Sequence, residues 1–162
     1  MIVVADTSPI CYLLLIGEID LLPQLYGQVL IPQIVQRELA DERSPAVVQA
    51  WMSQPPEWLV IQTVSIPSES DLDNLDPGEQ AAIVLAEQCK ANLIVIDDLL
   101  GRQVALSHHL NVTGLLGVLD EAARQNLVNF PEVIARLQQT TFRASSKLIQ
   151  SLLQQHRSED KL

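Results

Sequence analysis

Met1-Ile-Val-Val-Ala-Asp-Thr-Ser-Pro9 opens the chain with a strand signal, a carboxylate and a helix start. Ile2 to Ala5 is a short apolar run of the kind that forms a buried strand, and it ends at Asp6. Ser8 and Pro9 then predict the N-cap and the first position of a helix. A carboxylate is therefore expected at the carboxyl end of a strand, where ligands bind in open α/β sheets. The alternative is that Asp6 only caps or orients the turn.

The same pattern returns in the second half of the chain. Leu93 to Ile96 is the strongest buried-strand signal in the sequence, and Asp97 and Asp98 follow it directly. A helix is predicted from Leu99 to about His109. Strands that alternate with helices are expected to pair in parallel, which puts Asp6 and Asp97 at one edge of the sheet. Adjacent aspartates also cap helices, so capping is the alternative role of Asp98.

Glu38 is a third candidate carboxylate. It lies on the apolar face of a helix predicted from Pro32 to about Ala40, where a carboxylate is costly unless it is paired or bound to metal. The alternative is a Glu38 that reaches solvent or forms an ion pair with Arg37 or Arg43.

Glu79 and Arg102 are the remaining candidates in this half of the sequence. Glu79 takes the third position of a helix that Asp76 caps, so a capping box explains it as well as a metal role does. Arg102 lies about one helical turn after Asp97, where a cation could bind substrate phosphate. Its alternative is an i, i+4 salt bridge with Asp98.

The other predicted elements complete an α/β pattern. Strands are predicted at Gln28–Ile31, Trp58–Val64 and Asn111–Thr113, and helices at Pro9–Ile16, Asp20–Tyr26, Ser44–Gln54, Gly114–Gln125, Pro131–Gln138 and Ser145–His156. The expected fold is a central parallel sheet with helices around it. We expect a single domain over residues 1–162, with a core at 1–130 and a helical C-terminal extension at 131–162.

Composition restricts the class of protein. The chain has 162 residues, 48% of them hydrophobic, which is typical of a globular domain. No apolar run reaches about 18 residues, so no membrane span is expected. The start of the chain has no basic segment of the kind that opens a signal peptide. Cys11 and Cys89 are interpreted as buried or free thiols, and a cytoplasmic location is expected.

Acidic side chains are concentrated in the first part of the sequence. Residues 1–100 hold 15 acidic and 3 basic side chains, whereas residues 101–162 hold 5 and 7. The first part is a poor general surface for nucleic acid, but clustered carboxylates suit a bound cation. A solvated acidic surface that favours solubility explains most of these charges equally well.

The carboxylates leave few reaction classes open. The sequence has no G-x-S-x-G element and no Gly-rich loop after the first strand. A phosphotransfer role for Asp6 is disfavoured because Ser8 replaces the second Asp of the D-x-D pattern. Acidic oxygen ligands at strand ends suit Mg²⁺ or Mn²⁺, and two such ions can activate water for phosphodiester hydrolysis.

Several motifs together resemble those of PIN-domain ribonucleases, and most closely a prokaryotic subgroup grouped with toxin-type nucleases. They are Val3-Val-Ala-Asp-Thr-Ser-Pro9, Ile31-Pro-Gln-Ile-Val-Gln-Arg-Glu-Leu39, Gly78-Glu-Gln-Ala-Ala82, Ile94-Val-Ile-Asp-Asp-Leu-Leu-Gly-Arg102 and Thr113-Gly-Leu-Leu-Gly117. The resemblance covers about residues 1–130. It implies an α/β/α sandwich and metal-dependent cleavage of single-stranded RNA.

The resemblance also implies roles for individual residues. Asp6, Glu38 and Asp97 match the catalytic, metal-binding carboxylates, with Mg²⁺ or Mn²⁺ as cofactor. Glu79 stands where many members have Asp, and Asp98 is an additional acidic neighbour; both are further candidate metal ligands. Ser8 and Arg102 are the candidate substrate-binding residues.

The implied partners are RNA, an antitoxin protein and further copies of the chain in a homodimer or higher oligomer. The alternative from another functional class is a non-catalytic PIN-like module that binds RNA or a protein. In that case the carboxylates are a remnant or a structural network.

Overall fold

Five parallel strands form the centre of the fold. They are β1 (Val3–Ala5), β2 (Val29–Pro32), β3 (Leu59–Gln62), β4 (Leu93–Val95) and β5 (Val112–Thr113). The computed structural model describes residues 1–68 and 70–160. In these residues the strands lie in the order β3-β2-β1-β4-β5, and every pairing is parallel. The predicted parallel sheet is therefore confirmed, and β3 and β5 are its edge strands in this order.

Helices connect the strands and continue after the last one. They are α1 (Thr7–Leu15), α2 (Leu21–Tyr26), α3 (Gln33–Ala40), α4 (Ala46–Ser53), α5 (Pro77–Gln88), α6 (Leu99–Ser107), α7 (Leu115–Arg124), α8 (Phe130–Gln138) and α9 (Ser146–Asp160). The fold is an α/β/α sandwich with additional C-terminal helices, as the sequence predicted. None of the helices in residues 1–68 and 70–160 is both long and apolar enough to span a bilayer.

The start of α1 differs from the prediction. The helix begins at Thr7, so Asp6 and not Ser8 occupies the N-cap position, and Asp6 makes no capping hydrogen bond with its side chain. Pro9 is the third residue of the helix. It is tolerated there because the first turn of a helix requires no backbone N–H from that position.

Buried aliphatic side chains fill the space between the sheet and α5. Val4, Ile94 and Ile96 belong to one buried cluster with residues of α5, including Ala82 and Ile83. Small alanines on α5 let the helix approach the strands closely, because an alanine adds only a methyl group between the two backbones. The packing fixes β1 and β4 side by side, and their carboxyl ends with them.

The chain folds as two compact units, one of Met1–Leu115 and one that begins at Leu116. Within the second unit, His156 of α9 stacks on Phe130 of α8, with ring centroids 4.1 Å apart, and its Nε2 lies 2.7 Å from Asp120 Oδ1 of α7. The predicted single domain, with a core at residues 1–130 and a C-terminal extension at 131–162, stays a prediction. Residues 161 and 162, at the end of the predicted extension, lie outside the described residues.

Candidate metal centre

Asp6 and Asp97 lie at the same edge of the sheet. β1 and β4 pair in parallel with Ala5 opposite Val95, and the Asp6 backbone N–H donates to the Val95 carbonyl at 2.9 Å. Each aspartate comes within two residues of the end of its strand. The sequence-based expectation that the two carboxylates share one edge agrees with this geometry.

The Asp6 carboxyl group is buried and only partly satisfied. The residue is 5% exposed, and its Oδ1 has no hydrogen-bond partner in the part of the chain that the structure describes. Burial, together with the carboxylates of Asp76, Glu38 and Asp97, raises the pKa of Asp6 to about 7, although a hydrogen bond from the Thr7 backbone N–H acts in the opposite direction. A cation would remove this penalty by compensating the charge.

In the described part of the chain, the Asp97 carboxyl group also has one oxygen with a hydrogen bond and one without. Its Oδ1 accepts the Leu115 backbone N–H at 2.7 Å, at the start of α7. Its Oδ2 is buried without a hydrogen-bond partner among the described residues. Burial raises the pKa of Asp97, while the Leu115 N–H and the Arg102 cation partly offset that effect.

Glu38 is held in the same region by two donors from neighbouring helices. The Thr7 hydroxyl donates to Glu38 Oε2. Burial raises the pKa of Glu38, whereas the Thr7 hydroxyl and the Gly78 backbone N–H lower it by hydrogen bonding. The alternative of an ion pair with Arg43 is wrong, because Arg43 binds Asp41 with Nε 2.9 Å from Oδ1. In the described residues Arg37 forms no ion pair with Glu38 either.

Glu79 combines a cap and a buried acid. Its backbone N–H donates to Asp76 Oδ1 at 2.8 Å, so the predicted cap of α5 is confirmed. The residue is nevertheless only 8% exposed. Burial raises the pKa of Glu79 to about 8, with contributions from Asp76, Asp98 and Asp6. Glu79 therefore interacts electrostatically with the Asp6 region as well as with its own helix start.

Asp98 and Ser8 both lie at the start of a helix. Asp98 is exposed, and its Oδ2 accepts the Gly101 backbone N–H at 2.9 Å, so its alternative role as the cap of α6 is observed. Its charge still contributes to the raised pKa of Glu79. Ser8 is half-buried in the first turn of α1.

Arg102 is directed toward Asp97. A methyl carbon on Gly114 would lie 2.7 Å from Asp97 Oδ1 and 3.1 Å from Arg102 Nη1, so the two side chains flank the same point. The salt bridge with Asp98 does not form among the described residues, since Asp98 binds the helix start instead. Arg102 is exposed, which leaves its guanidinium group accessible from solvent.

Four residues of the arrangement were not among the candidate site residues predicted from the sequence, although Asp76 was predicted as a helix cap. They are Thr7, which binds Glu38; Asp76, whose charge acts on Asp6, Glu38 and Glu79; and Gly78 and Gly114, which lie against carboxylates. One signal was available, because a glycine at the second position of α5 is a poor helix former in a place where most residues would serve better.

The donor set fits a divalent cation. In residues 1–68 and 70–160, no three His, Cys, Asp or Glu side chains already form a group that could hold a metal ion. Mg²⁺ does not require one, because it is bound through one or two carboxylates and keeps several waters. The partnerless oxygens of Asp6 and Asp97 would provide two such ligands. Carboxylate oxygens suit Mg²⁺ and Mn²⁺ and not the softer transition metals.

Of the comparisons with known proteins, one identifies a family. No curated protein and no solved structure matches the chain. A sequence model of a family described as a PIN domain matches residues 2–158, which is nearly the whole chain. PIN domains are generally nucleases and typically bind divalent metals. The chain therefore belongs to the PIN-domain family.

Proposed function

We propose that this protein is an Mg²⁺- or Mn²⁺-dependent endoribonuclease that hydrolyses phosphodiester bonds of single-stranded RNA. The observation that carries the proposal is the pair of buried oxygens, Asp6 Oδ1 and Asp97 Oδ2, that lack protein partners at one edge of the sheet. Buried acceptors are nearly always satisfied, so two orphaned ones at a strand end favour a site for an additional ligand. For two carboxylates with raised pKa values, that ligand is a cation.

The division of roles follows from how each side chain is held. When bound, a divalent cation would lower the pKa of a water ligand and neutralise charge on the phosphate. Asp6 and Asp97 would hold such a cation through their partnerless oxygens, Glu38 would contribute a third carboxylate ligand, and Glu79 and Asp98 would add negative charge around it. Glu38, oriented by Thr7 and Gly78, would accept a proton from the water that attacks phosphorus, while the P–O bond to the leaving ribose oxygen breaks and that oxygen takes a proton from solvent.

The proposed contact with the substrate is made by the positively charged side chain of Arg102, which lies beside the acidic residues. Arg102 is exposed beside Asp97, which is the position from which a guanidinium can contact a phosphate next to the reacting one. The Ser8 hydroxyl, in the first turn of α1, donates to a phosphate oxygen. Single-stranded RNA is the substrate implied by the resemblance to PIN-domain ribonucleases.

The proposal extends to the cellular role that the same resemblance implies. The protein acts in the prokaryotic cytoplasm as the toxin of a toxin–antitoxin pair, as a homodimer or higher oligomer, and an antitoxin protein inhibits it.

The second candidate function is a non-catalytic PIN-like module that binds RNA or a protein. The absence of a ready three-residue metal group in the described residues favours this candidate.

Cleavage of defined substrates separates the two candidates. Purified wild type is incubated with end-labelled single-stranded RNA, double-stranded RNA and single-stranded DNA in Mg²⁺, Mn²⁺ or EDTA. The nuclease proposal predicts internal cleavage of single-stranded RNA that EDTA and Asp97→Asn abolish. RNA binding without cleavage in either metal would favour the non-catalytic module. Cleavage by the Asp97→Asn protein at the wild-type rate would contradict the proposed site.

A further inference from the structure

We propose that Gly78 and Gly114 are positioning residues of the metal centre, because each leaves free the space in which one carboxylate lies. The inference deepens the proposed function and rests on it, since it concerns the ligands of the same site. Gly78 is the second residue of α5, and Gly114 directly precedes α7. Both therefore place the start of a helix against a carboxylate.

Gly78 lies against Glu38. A methyl carbon on Gly78 would lie 2.6 Å from Glu38 Oε1 and 2.8 Å from Oε2, closer than real side-chain carbons approach other atoms. The carboxylate is not free to move aside without loss, because the Thr7 hydroxyl and the Gly78 backbone N–H both bind it. Any side chain at position 78 therefore displaces Glu38 from these donors.

Gly114 lies against Asp97 and Arg102. A methyl carbon there would lie 2.7 Å from Asp97 Oδ1, the oxygen that the Leu115 N–H holds at 2.7 Å, and 3.1 Å from Arg102 Nη1. A side chain at position 114 would displace the metal ligand and the substrate-binding cation together. At Gly78, in contrast, the three atoms nearest to such a methyl carbon all belong to the Glu38 side chain.

Backbone conformation does not explain these glycines. Among the described glycines, only Gly17 and Gly27 have positive φ angles, so Gly78 and Gly114 adopt backbone angles that other residues tolerate. Alanine is in fact a better helix former than glycine, so helix propensity does not explain the glycine at the start of α5. The structural requirement at both positions is therefore the absence of a side chain next to a carboxylate.

Gly101 provides a matched control. It is the third residue of α6, it also has no positive φ angle, and a methyl carbon on it would lie 2.7 Å from Ile96 Cδ1. That atom is the end of a flexible aliphatic side chain. Glu79 Oε2 would lie 3.6 Å away, which is ordinary van der Waals contact. Gly101→Ala thus creates a clash as close as the other two, but against the core and not against a carboxylate.

Mn²⁺ affinity tests the inference without any activity assay. Titration calorimetry compares wild type, Gly78→Ala, Gly114→Ala and Gly101→Ala, and thermal melting of the metal-free proteins verifies that each is folded. Gly78→Ala and Gly114→Ala should bind Mn²⁺ about tenfold or more weakly, and Gly101→Ala within about twofold of wild type. Wild-type affinity in both site variants would overturn the inference. A wild type that binds no Mn²⁺ would overturn the proposed function first.

A compensating substitution tests the cause of the Gly78 effect. Glu38→Asp shortens the side chain by one methylene group and so withdraws the carboxylate from a methyl group on residue 78. The double variant Gly78→Ala/Glu38→Asp should bind Mn²⁺ more tightly than Gly78→Ala alone, although Glu38→Asp in the wild-type background weakens binding. A double variant no better than Gly78→Ala would show that the added methyl group does not act through Glu38.

Discussion

Asp6 shows, at the scale of single residues, how a candidate site opposes stability. Its carboxyl group is buried, one oxygen lacks a partner, and its pKa is raised to about 7 by burial and by neighbouring carboxylates. Such a residue destabilises the metal-free fold whenever it ionises. Sites of this kind are retained for function at a cost in stability, so removal of the charge should stabilise the protein.

Asp6→Asn should therefore raise the stability of the metal-free protein at high pH. The pKa of Asp6 is about 7 in the folded chain but near 3.8 when the group is solvated, so the unfolded chain loses this proton first. Wild-type stability then falls as pH rises from about 4 to above 7. The variant lacks this loss and should melt about 5 °C higher than wild type at pH 8.5.

Melting curves at pH 5.5 and 8.5 in EDTA measure this difference. The gain should be smaller at pH 5.5, where Asp6 is largely protonated in the folded wild type. A variant that melts below wild type at both pH values would show that the Asp6 carboxylate supports the fold.

Arg102 should act on RNA and not on metal. Its guanidinium is exposed next to Asp97, so Arg102→Ala should weaken RNA binding about tenfold while Mn²⁺ affinity changes little. Lys90→Ala is the control, since it removes the same charge from an exposed position beyond the other end of α5. Salt titrations of RNA affinity for both variants provide the comparison. Equal salt slopes and affinities in the two variants would make Arg102 a structural residue.

The start of α5 shows how one element serves both the fold and the site. Asp76 caps the helix through the Glu79 backbone N–H, and its charge also contributes to the raised pKa values of Asp6, Glu38 and Glu79. A cap needs only an oxygen acceptor, whereas the charge matters for the neighbouring carboxylates. The two contributions can be separated by substitution.

Asp76→Ser keeps an N-cap oxygen and removes the charge. The cap contributes about 1 kcal/mol and should survive, while the repulsion toward Asp6 and Glu79 is relieved. We expect the metal-free variant to melt at or above the wild-type temperature at pH 8.5. Asp76→Ala, which loses the cap as well, should melt lower than Asp76→Ser. Thermal melts of both variants give the answer, and a serine variant as unstable as the alanine variant would contradict the electrostatic contribution.

His108, at the end of α6, contacts two carboxylates of neighbouring segments. His108 Nε2 lies 2.7 Å from Asp71 Oδ2, and Nδ1 contacts Glu87 Oε1 of α5. Burial lowers the pKa of His108, but the two carboxylates outweigh burial and raise it above its usual value. Because the folded pKa is raised, the stabilisation is present below pH 6.5 and is lost as pH rises through the folded pKa.

His108→Gln should therefore destabilise the protein at low pH more than at high pH. Both acidic partners are substantially exposed, so the expected difference is about 0.5 kcal/mol, or roughly 1–2 °C in melting temperature. Melting of wild type and variant at pH 6 and pH 9 measures it. A loss of stability that is the same at both pH values would show that the histidine contributes packing and no charge.

For the molecule as a whole, strand periodicity was sufficient to predict the fold. The apolar runs that end at Asp6 and Asp97 became β1 and β4, and alternation with helices predicted their parallel pairing. The family match over residues 2–158 agrees with the resemblance that the motifs indicated. Apolar runs, their alternation with helices and short motifs are all local in sequence, so a single sequence is sufficient to recognise them.

Side-chain partners could not be predicted in the same way. The Arg43–Asp41 pair, the Thr7–Glu38 hydrogen bond and the approach of Gly114 to Asp97 all depend on rotamers or on segments distant in sequence. Sequence spacing suggested an arginine as the partner of Glu38, whereas the observed partner is a threonine of a neighbouring helix. Periodicity specifies which face a residue occupies but not which of several donors reaches it.

The central claim is that the strand-end carboxylates form one centre that binds a divalent cation in place of protons. Calorimetric titration of Mn²⁺ into the wild-type protein at pH 6.5, repeated in buffers of different ionisation enthalpy, measures both binding and the protons released. Because the pKa values of Asp6 and Glu79 are about 7 and about 8, we predict saturable binding with release of roughly one proton or more. Asp6→Asn should bind weakly and release fewer. No saturable binding, or binding with no proton release, would contradict the claim.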